Sequence, residues 1–321
     1  MQRITRLIIV GVATIIIFKS TTFGWHSIFT STVRLQPKDN MLPEKLKRHV
    51  VKLSNEIGDR NISNYENLKK TADYIVVQFL SYGYNVTFQK YSVAGKEVKN
   101  IIALKTGSRF PNEIILLGAH YDSCFNPGAD DNASGISGLL ELARMIANKK
   151  VDRTIEFIAF VNEEPPFFKT EVMGSRIYAK ECKAENKNIR AIIVFDLIGF
   201  YSNKPFSQRY PVILGLFFPN KGNFIGVFGN FKSRYLARQI TRIFKNNSSF
   251  PIASIALDFI PGIDFSDHWS FWKEGYPAVM ISDTAFLRHK NYHKNTDTWE
   301  KLNYKDMACV IEGIYGVLVR F

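Results

Sequence analysis

The sequence predicts an α/β domain built on a largely parallel, buried central sheet. Two observations carry the prediction. Short runs rich in β-formers alternate with segments of helical spacing, and several of the runs are continuously apolar, as in strands covered on both faces. A third observation puts chemistry on that frame: acidic and histidine-bearing stretches fall where the apolar runs stop.

In chain order, Arg3 and Arg6 precede the apolar run 7–18 (LIIVGVATIIIF), which Lys19 ends. That run has the length of a signal-peptide core and falls short of the roughly 20 residues that span a bilayer. Residues 1–33 are therefore read as a signal peptide or an N-terminal membrane anchor, with cleavage left open. Residues 40–321 are read as one folded domain. The expected location is outside the cytoplasm: periplasmic, extracellular or membrane-anchored.

Segment 42–57 has helical spacing and stops near Gly58. Ser63 and Glu66 have capping-box spacing for a second helix, which buries Leu68, Ala72, Ile75, Val76 and Phe79 and ends near Gly83. Strands are expected at 84–91, 98–105 and 113–120, then a helix at 134–148, a strand at 154–161, a helix near 173–186 and a strand at 191–197. The aromatic, Pro- and Gly-rich stretch 202–230 yields no element; a helix at 231–246 and a strand at 277–282 follow.

The formal charge of +13 is spread along the chain with no nucleic-acid-binding motif, so nucleic acid is not expected as a partner. Within residues 1–60, ten Lys/Arg face four Asp/Glu, a bias that suits an anionic membrane surface or a merely solvated basic face. Cys124, Cys182 and Cys309 form no CxxC spacing. Cys124 is read as an ordinary neighbour of the site.

Five stretches carry the chemistry: GAHYDS (118–123), GADDNASG (128–135), NEEPPFF (162–168), VFDLIG (194–199) and NYHKNTD (291–297). Buried carboxylates are costly without a compensating cation, and this set of oxygen and nitrogen donors suits two zinc ions sharing a carboxylate. His120 is a metal ligand, with Asp122 two residues on to receive its second N–H. Asp131, among small residues that let the backbone bend, is the bridging ligand. Glu163 and Glu164 are adjacent, so one can bind metal (Glu164) and the other act as general base (Glu163). Asp196 interrupts an apolar run and is a terminal ligand; His293 supplies the second imidazole.

These motifs, together with SDHWSFWKEGYPA (266–278), resemble the co-catalytic dizinc aminopeptidase family, the relatives of bacterial leucyl-type aminopeptidases and glutamate carboxypeptidases. The resemblance covers roughly 98–321. It implies His120 and Asp196 on one zinc, Glu164 and His293 on the other, Asp131 between them, and Asp122 behind His120. It further implies one domain with a mixed sheet of about eight strands and helices on both faces. The activity implied is release of N-terminal amino acids from a peptide or aminoacyl substrate by metal-activated water. Asp267 and His268 are candidates for contact with substrate or an oxyanion, with a structural hydrogen-bond role as the alternative. Two other readings are weighed: a glutaminyl cyclase holding one zinc with Asp131, Glu164 and His293, and a non-catalytic receptor-type ectodomain, which the intact ligand set disfavours.

Overall fold

A computed structural model describes residues 36–210, 215 and 218–321 of the chain. The expected signal or anchor at 1–33 lies outside the described residues. Among them, no helix is long and apolar enough to cross a membrane.

One eight-stranded sheet has the order β1-β2-β4-β3-β5-β8-β6-β7. Its strands are β1 (Val86–Val93), β2 (Lys96–Lys105), β3 (Phe110–His120), β4 (Arg153–Phe160), β5 (Ile189–Phe195), β6 (Ile225–Gly229), β7 (Ile252–Ala256) and β8 (Ala278–Ser282). The central neighbours β4, β3, β5 and β8 run parallel. The β1–β2 hairpin adds antiparallel to β4, and β6 pairs antiparallel with β8. Central β4 and β5 are buried along almost their whole length, and the apolar stretches Phe157–Phe160 and Ala191–Phe195 within them are what marks them as strands in the sequence.

Helices cover the two faces: α1 (Leu42–Val51), α2 (Tyr65–Ser81), α3 (Gly135–Ile146), α4 (Gly174–Ala184), α5 (Arg234–Lys245), α6 (His268–Lys273) and α7 (Tyr304–Arg320). The larger core packs α1, α2, α3, α5 and α7 on one face, around Leu46, Phe79, Leu139, Phe244 and Ile314. A smaller cluster on the other face joins Phe160, Tyr178 of α4 and Phe271 of α6.

Most boundaries agree with the sequence reading to within two or three residues. The capping box does not form. Helix α2 begins at Tyr65 with Asn64 as its cap residue, and Asn64 donates its N–H to Asn61 Oδ1 at 3.1 Å, so neither Ser63 nor Glu66 caps the helix. The stretch with no expected element contains β6, and β7 is a further strand the sequence reading did not find.

Candidate metal centre

Strands β3, β4 and β5 are neighbours, so the residues that follow them emerge along one edge of the sheet. His120 closes β3, Glu163 and Glu164 come just after β4, and Asp196 follows the last residue of β5. Asp131 comes from the turn Ala129–Ser134 ahead of α3, and His293 from the loop beyond β8. Gly128 opens that turn at φ +55°, where a Cβ would stand 2.3 Å from the Asp131 carbonyl oxygen; only glycine fits.

The Asp131 carboxylate is the hub. Its Oδ1 lies 3.4 Å from His120 Nε2 and its Oδ2 3.1 Å from His293 Nε2. Asp196 Oδ1 approaches His120 Nε2 at 3.5 Å, and Glu164 Oε2 approaches His293 Nε2 at 3.3 Å. One carboxylate thus faces two imidazole–carboxylate pairs, one through each oxygen. Glu163 Oε2 is 3.9 Å from His120 Nε2. The Cys124 thiol joins Glu164 and His293 in a cluster whose donor atoms lie within 4.8 Å of one another.

The cluster is crowded with buried charge. Against the pull of burial, Glu163, Asp122, Asp131 and Asp196 hold the His120 pKa well above its ordinary value. Burial likewise opposes the ionisation of Asp131, but its contacts with His120 and His293 hold it below the usual carboxylate range. Burial and the neighbouring carboxylate of Asp131 push Glu164 up to about 8. Burial raises Glu163 well above its ordinary value, with Glu164, Asp196 and Asp267 adding to the effect. His120 Nε2, Glu164 Oε1 and Asp196 Oδ1 are buried without a hydrogen-bond partner. Hard oxygen and imidazole donors, partnerless and pointed at one another, fit divalent zinc.

Asp122 differs from its expected geometry. His120 Nδ1 lies 3.2 Å from the Asp122 backbone carbonyl and 3.7 Å from its carboxylate. The carboxylate instead accepts the Glu163 and Glu164 N–H groups at 3.2 and 3.0 Å, tying β3 to the two glutamates. Asp267 is fully buried, neither carboxylate oxygen has a hydrogen-bond partner, and burial pushes its pKa up to about 7. The His268 ring turns elsewhere, with Nε2 2.7 Å from the Ile263 carbonyl and its edge against Trp272; burial pushes it down to about 4, so it is neutral at physiological pH.

Three supporting residues escaped the sequence reading. Asp297 accepts the Asp130 N–H at 3.0 and 3.2 Å and the Asp131 N–H at 3.1 Å, fixing the backbone of the hub residue. It ends the NYHKNTD stretch, whose proximity to His293 was the available signal. Arg60 is fully buried and donates to the carbonyls of Tyr121, Pro127 and Gly128 at 2.9, 2.5 and 2.7 Å, clasping both ends of the turn between His120 and Asp131. Nothing in the sequence around it signals this. His289 lies 3.1 Å from Asp130 Oδ2 and stacks on Phe200, so Asp130 faces away from the hub.

Beside Asp196 opens a largely apolar pocket lined by Leu197, Phe224, Phe228, Ile255, Met280 and Tyr292. It draws on β6, β7 and the stretch 202–230, where no element is expected from the sequence apart from what the fold reveals as β6.

Residues 100–317 match the family described as peptidase family M28. The chain belongs to that family. A relative from Escherichia coli K12, the uncharacterised protein YfbL, is 37% identical over 305 residues, covering 92% of this chain and 91% of its own. A probable leucine aminopeptidase of Arthroderma otae is 30% identical, covering 68% of this chain; this chain spans 56% of that relative's length. Two solved structures share the fold at 16% identity. A zinc aminopeptidase from Bacillus subtilis has a TM-score of 0.68, covering 87% of this chain and 96% of its own. A glutaminyl cyclase from Bacteroides thetaiotaomicron has a TM-score of 0.67, covering 90% and 100%.

Proposed function

We propose that the chain is a zinc-dependent aminopeptidase that hydrolyses N-terminal amino acids from peptides with a pair of zinc ions, and that it favours bulky apolar N-terminal residues. The observation that carries the proposal is the Asp131 carboxylate, which offers one oxygen to each imidazole. His120, Asp131 and Asp196 would hold one zinc, and His293, Asp131 and Glu164 the other. Bound zinc supplies Lewis-acid polarisation of the scissile carbonyl and a lowered pKa for the attacking water.

The chain's own residues do the rest. Glu163 takes the proton of the attacking water and returns it to the leaving amine. Burial raises its carboxyl above the ordinary glutamate value. Asp122 holds Glu163 and Glu164 at fixed positions through their N–H groups. The apolar pocket beside Asp196 receives the first side chain of the substrate, and its wall of Phe224, Phe228 and Met280 favours a large apolar one. Residues 1–33 direct export or anchor the enzyme, so that it acts outside the cytoplasm.

The fold alone does not separate a peptidase from a glutaminyl cyclase, since solved structures of both share it. The ligand geometry favours the peptidase. A single zinc on Asp131, Glu164 and His293 would leave His120 and Asp196 buried together without a metal. Metal content by mass spectrometry, with a panel of aminoacyl nitroanilides and an N-terminal glutaminyl peptide, decides. Two zinc ions and faster release of leucine or phenylalanine than of lysine are expected. One zinc ion with cyclisation of the glutaminyl peptide refutes the proposal.

A further inference from the structure

Three cysteines are present, and two of them are buried in the core: Cys182 in α4 and Cys309 in α7. Cys124 stands apart. It sits in the turn after β3, half-buried, and its Sγ shares with a Glu164 oxygen and a His293 nitrogen a cluster spanning no more than 4.8 Å. Glu164 gives this cluster an independent mark of a cation. It is 3% exposed, one oxygen meets His293, and the other, Oε1, is buried with no hydrogen-bond partner. No second thiol of the described residues shares this cluster, so a disulfide does not account for the cysteine's position.

We propose that Cys124 is a sulfur ligand to the cation held by Glu164 and His293. The two halves of the pair then differ in kind: one has only nitrogen and oxygen donors, the other has a soft thiolate as well. Zinc binds sulfur at about 2.3 Å and imidazole nitrogen at about 2.0–2.1 Å. The three donor atoms lie within 4.8 Å of one another, close enough to share one cation. On coordination the S–H bond breaks, the proton leaves to solvent, and the S–metal bond forms with no change in oxidation state. A thiolate favours zinc or cobalt over manganese or magnesium at that position. The inference rests on the two-metal reading above but adds a donor to it.

Cobalt(II) tests it directly, because thiolate coordination gives a charge-transfer absorption in the near ultraviolet that nitrogen and oxygen donors do not. The metal-free enzyme is titrated with cobalt alone while bound cobalt is counted and the spectrum recorded. The expected result is two cobalt ions per chain, with the charge-transfer band growing during the filling of only one of them. In Cys124→Ser and Cys124→Ala the band should vanish and one of the two affinities should fall by at least about tenfold, the order seen when metal-site partners are removed. Two bound cobalt ions in the wild-type enzyme with no such band overturn the role of Cys124 and leave the dizinc reading intact. A chain that binds no cobalt overturns both, and the metal count tells the two failures apart. A band that persists in Cys124→Ser assigns it to another thiol and likewise overturns the inference. The wild-type spectrum decides even if a variant fails to fold.

Discussion

Asp297 offers the sharpest test of how the hub is held. It binds no metal in the proposed arrangement, yet its carboxylate accepts the N–H groups of both Asp130 and Asp131. A hydrogen bond to a charged acceptor is worth about 1.5–3 kcal/mol, so Asp297→Ala forfeits roughly 3–6 kcal/mol from two buried donors. For a domain of this size that corresponds to a fall in Tm of roughly 6–12 °C. The Asp131 backbone loses its anchor at the same time, and zinc affinity should drop about 10- to 100-fold. Asp297→Asn keeps one accepting oxygen and should lose about half as much. The assay is thermal unfolding of the metal-free protein alongside zinc titration against a chromophoric chelator. A variant whose Tm falls as expected while both zinc affinities stay within threefold of wild type refutes the reasoning, because Asp297 would then brace the loop without positioning Asp131.

Other outcomes follow from the same geometry. Glu163→Gln should retain both metals and lose about 10²- to 10⁴-fold in turnover; loss of metal with the fold intact would reverse the assignment of the two glutamates. Asp131→Ala removes the one carboxylate that offsets repulsion between two dications, and mass spectrometry should find at least one zinc missing along with activity; full occupancy would end its bridging role. Deleting residues 1–33 should leave a soluble enzyme with unchanged metal content and rate, whereas the full chain partitions to membranes or is exported; aggregation of the truncated protein would make the segment part of the fold.

How much the sequence discloses depends on whether a residue's purpose is local. His120, Glu163, Glu164 and Asp196 could be picked out because each interrupts or closely follows an apolar run, and charge in such a place needs a reason; Asp131 stood out by the small residues around it, and His293, in a polar segment, only because the set lacked a second imidazole. Strands β3, β4 and β5 were legible for the complementary reason, since each carries a run of buried apolar residues, Ile115–Ala119, Phe157–Phe160 and Ala191–Phe195. Strands β6 (IGVFG) and β7 (IASIA) are five residues each and diluted with Gly, Ala and Ser, so they carry no period to read. The Ser63–Glu66 spacing misled because helix α2 starts later, at Tyr65 behind Asn64, with no side-chain cap, a start set by the fold of the preceding loop. Arg60 was invisible because its partners are backbone carbonyls brought together from two turns. A side chain solvated by main-chain oxygen leaves no complementary residue in the sequence. The partners of Asp122 were misjudged for the same reason, being the N–H groups of the two glutamates.

The order in which the donors occur along the chain has a consequence for biosynthesis. Four of the five expected ligands lie between residues 120 and 196, on or beside strands at the centre of the sheet, whereas His293 and its neighbour Asp297 arrive almost a hundred residues later on a loop that closes over the Asp131 turn. A partly synthesised chain can therefore form the central strands and gather one set of donors without being able to complete the pair. Completion of the proposed pair therefore waits on His293, the donor that comes last along the chain.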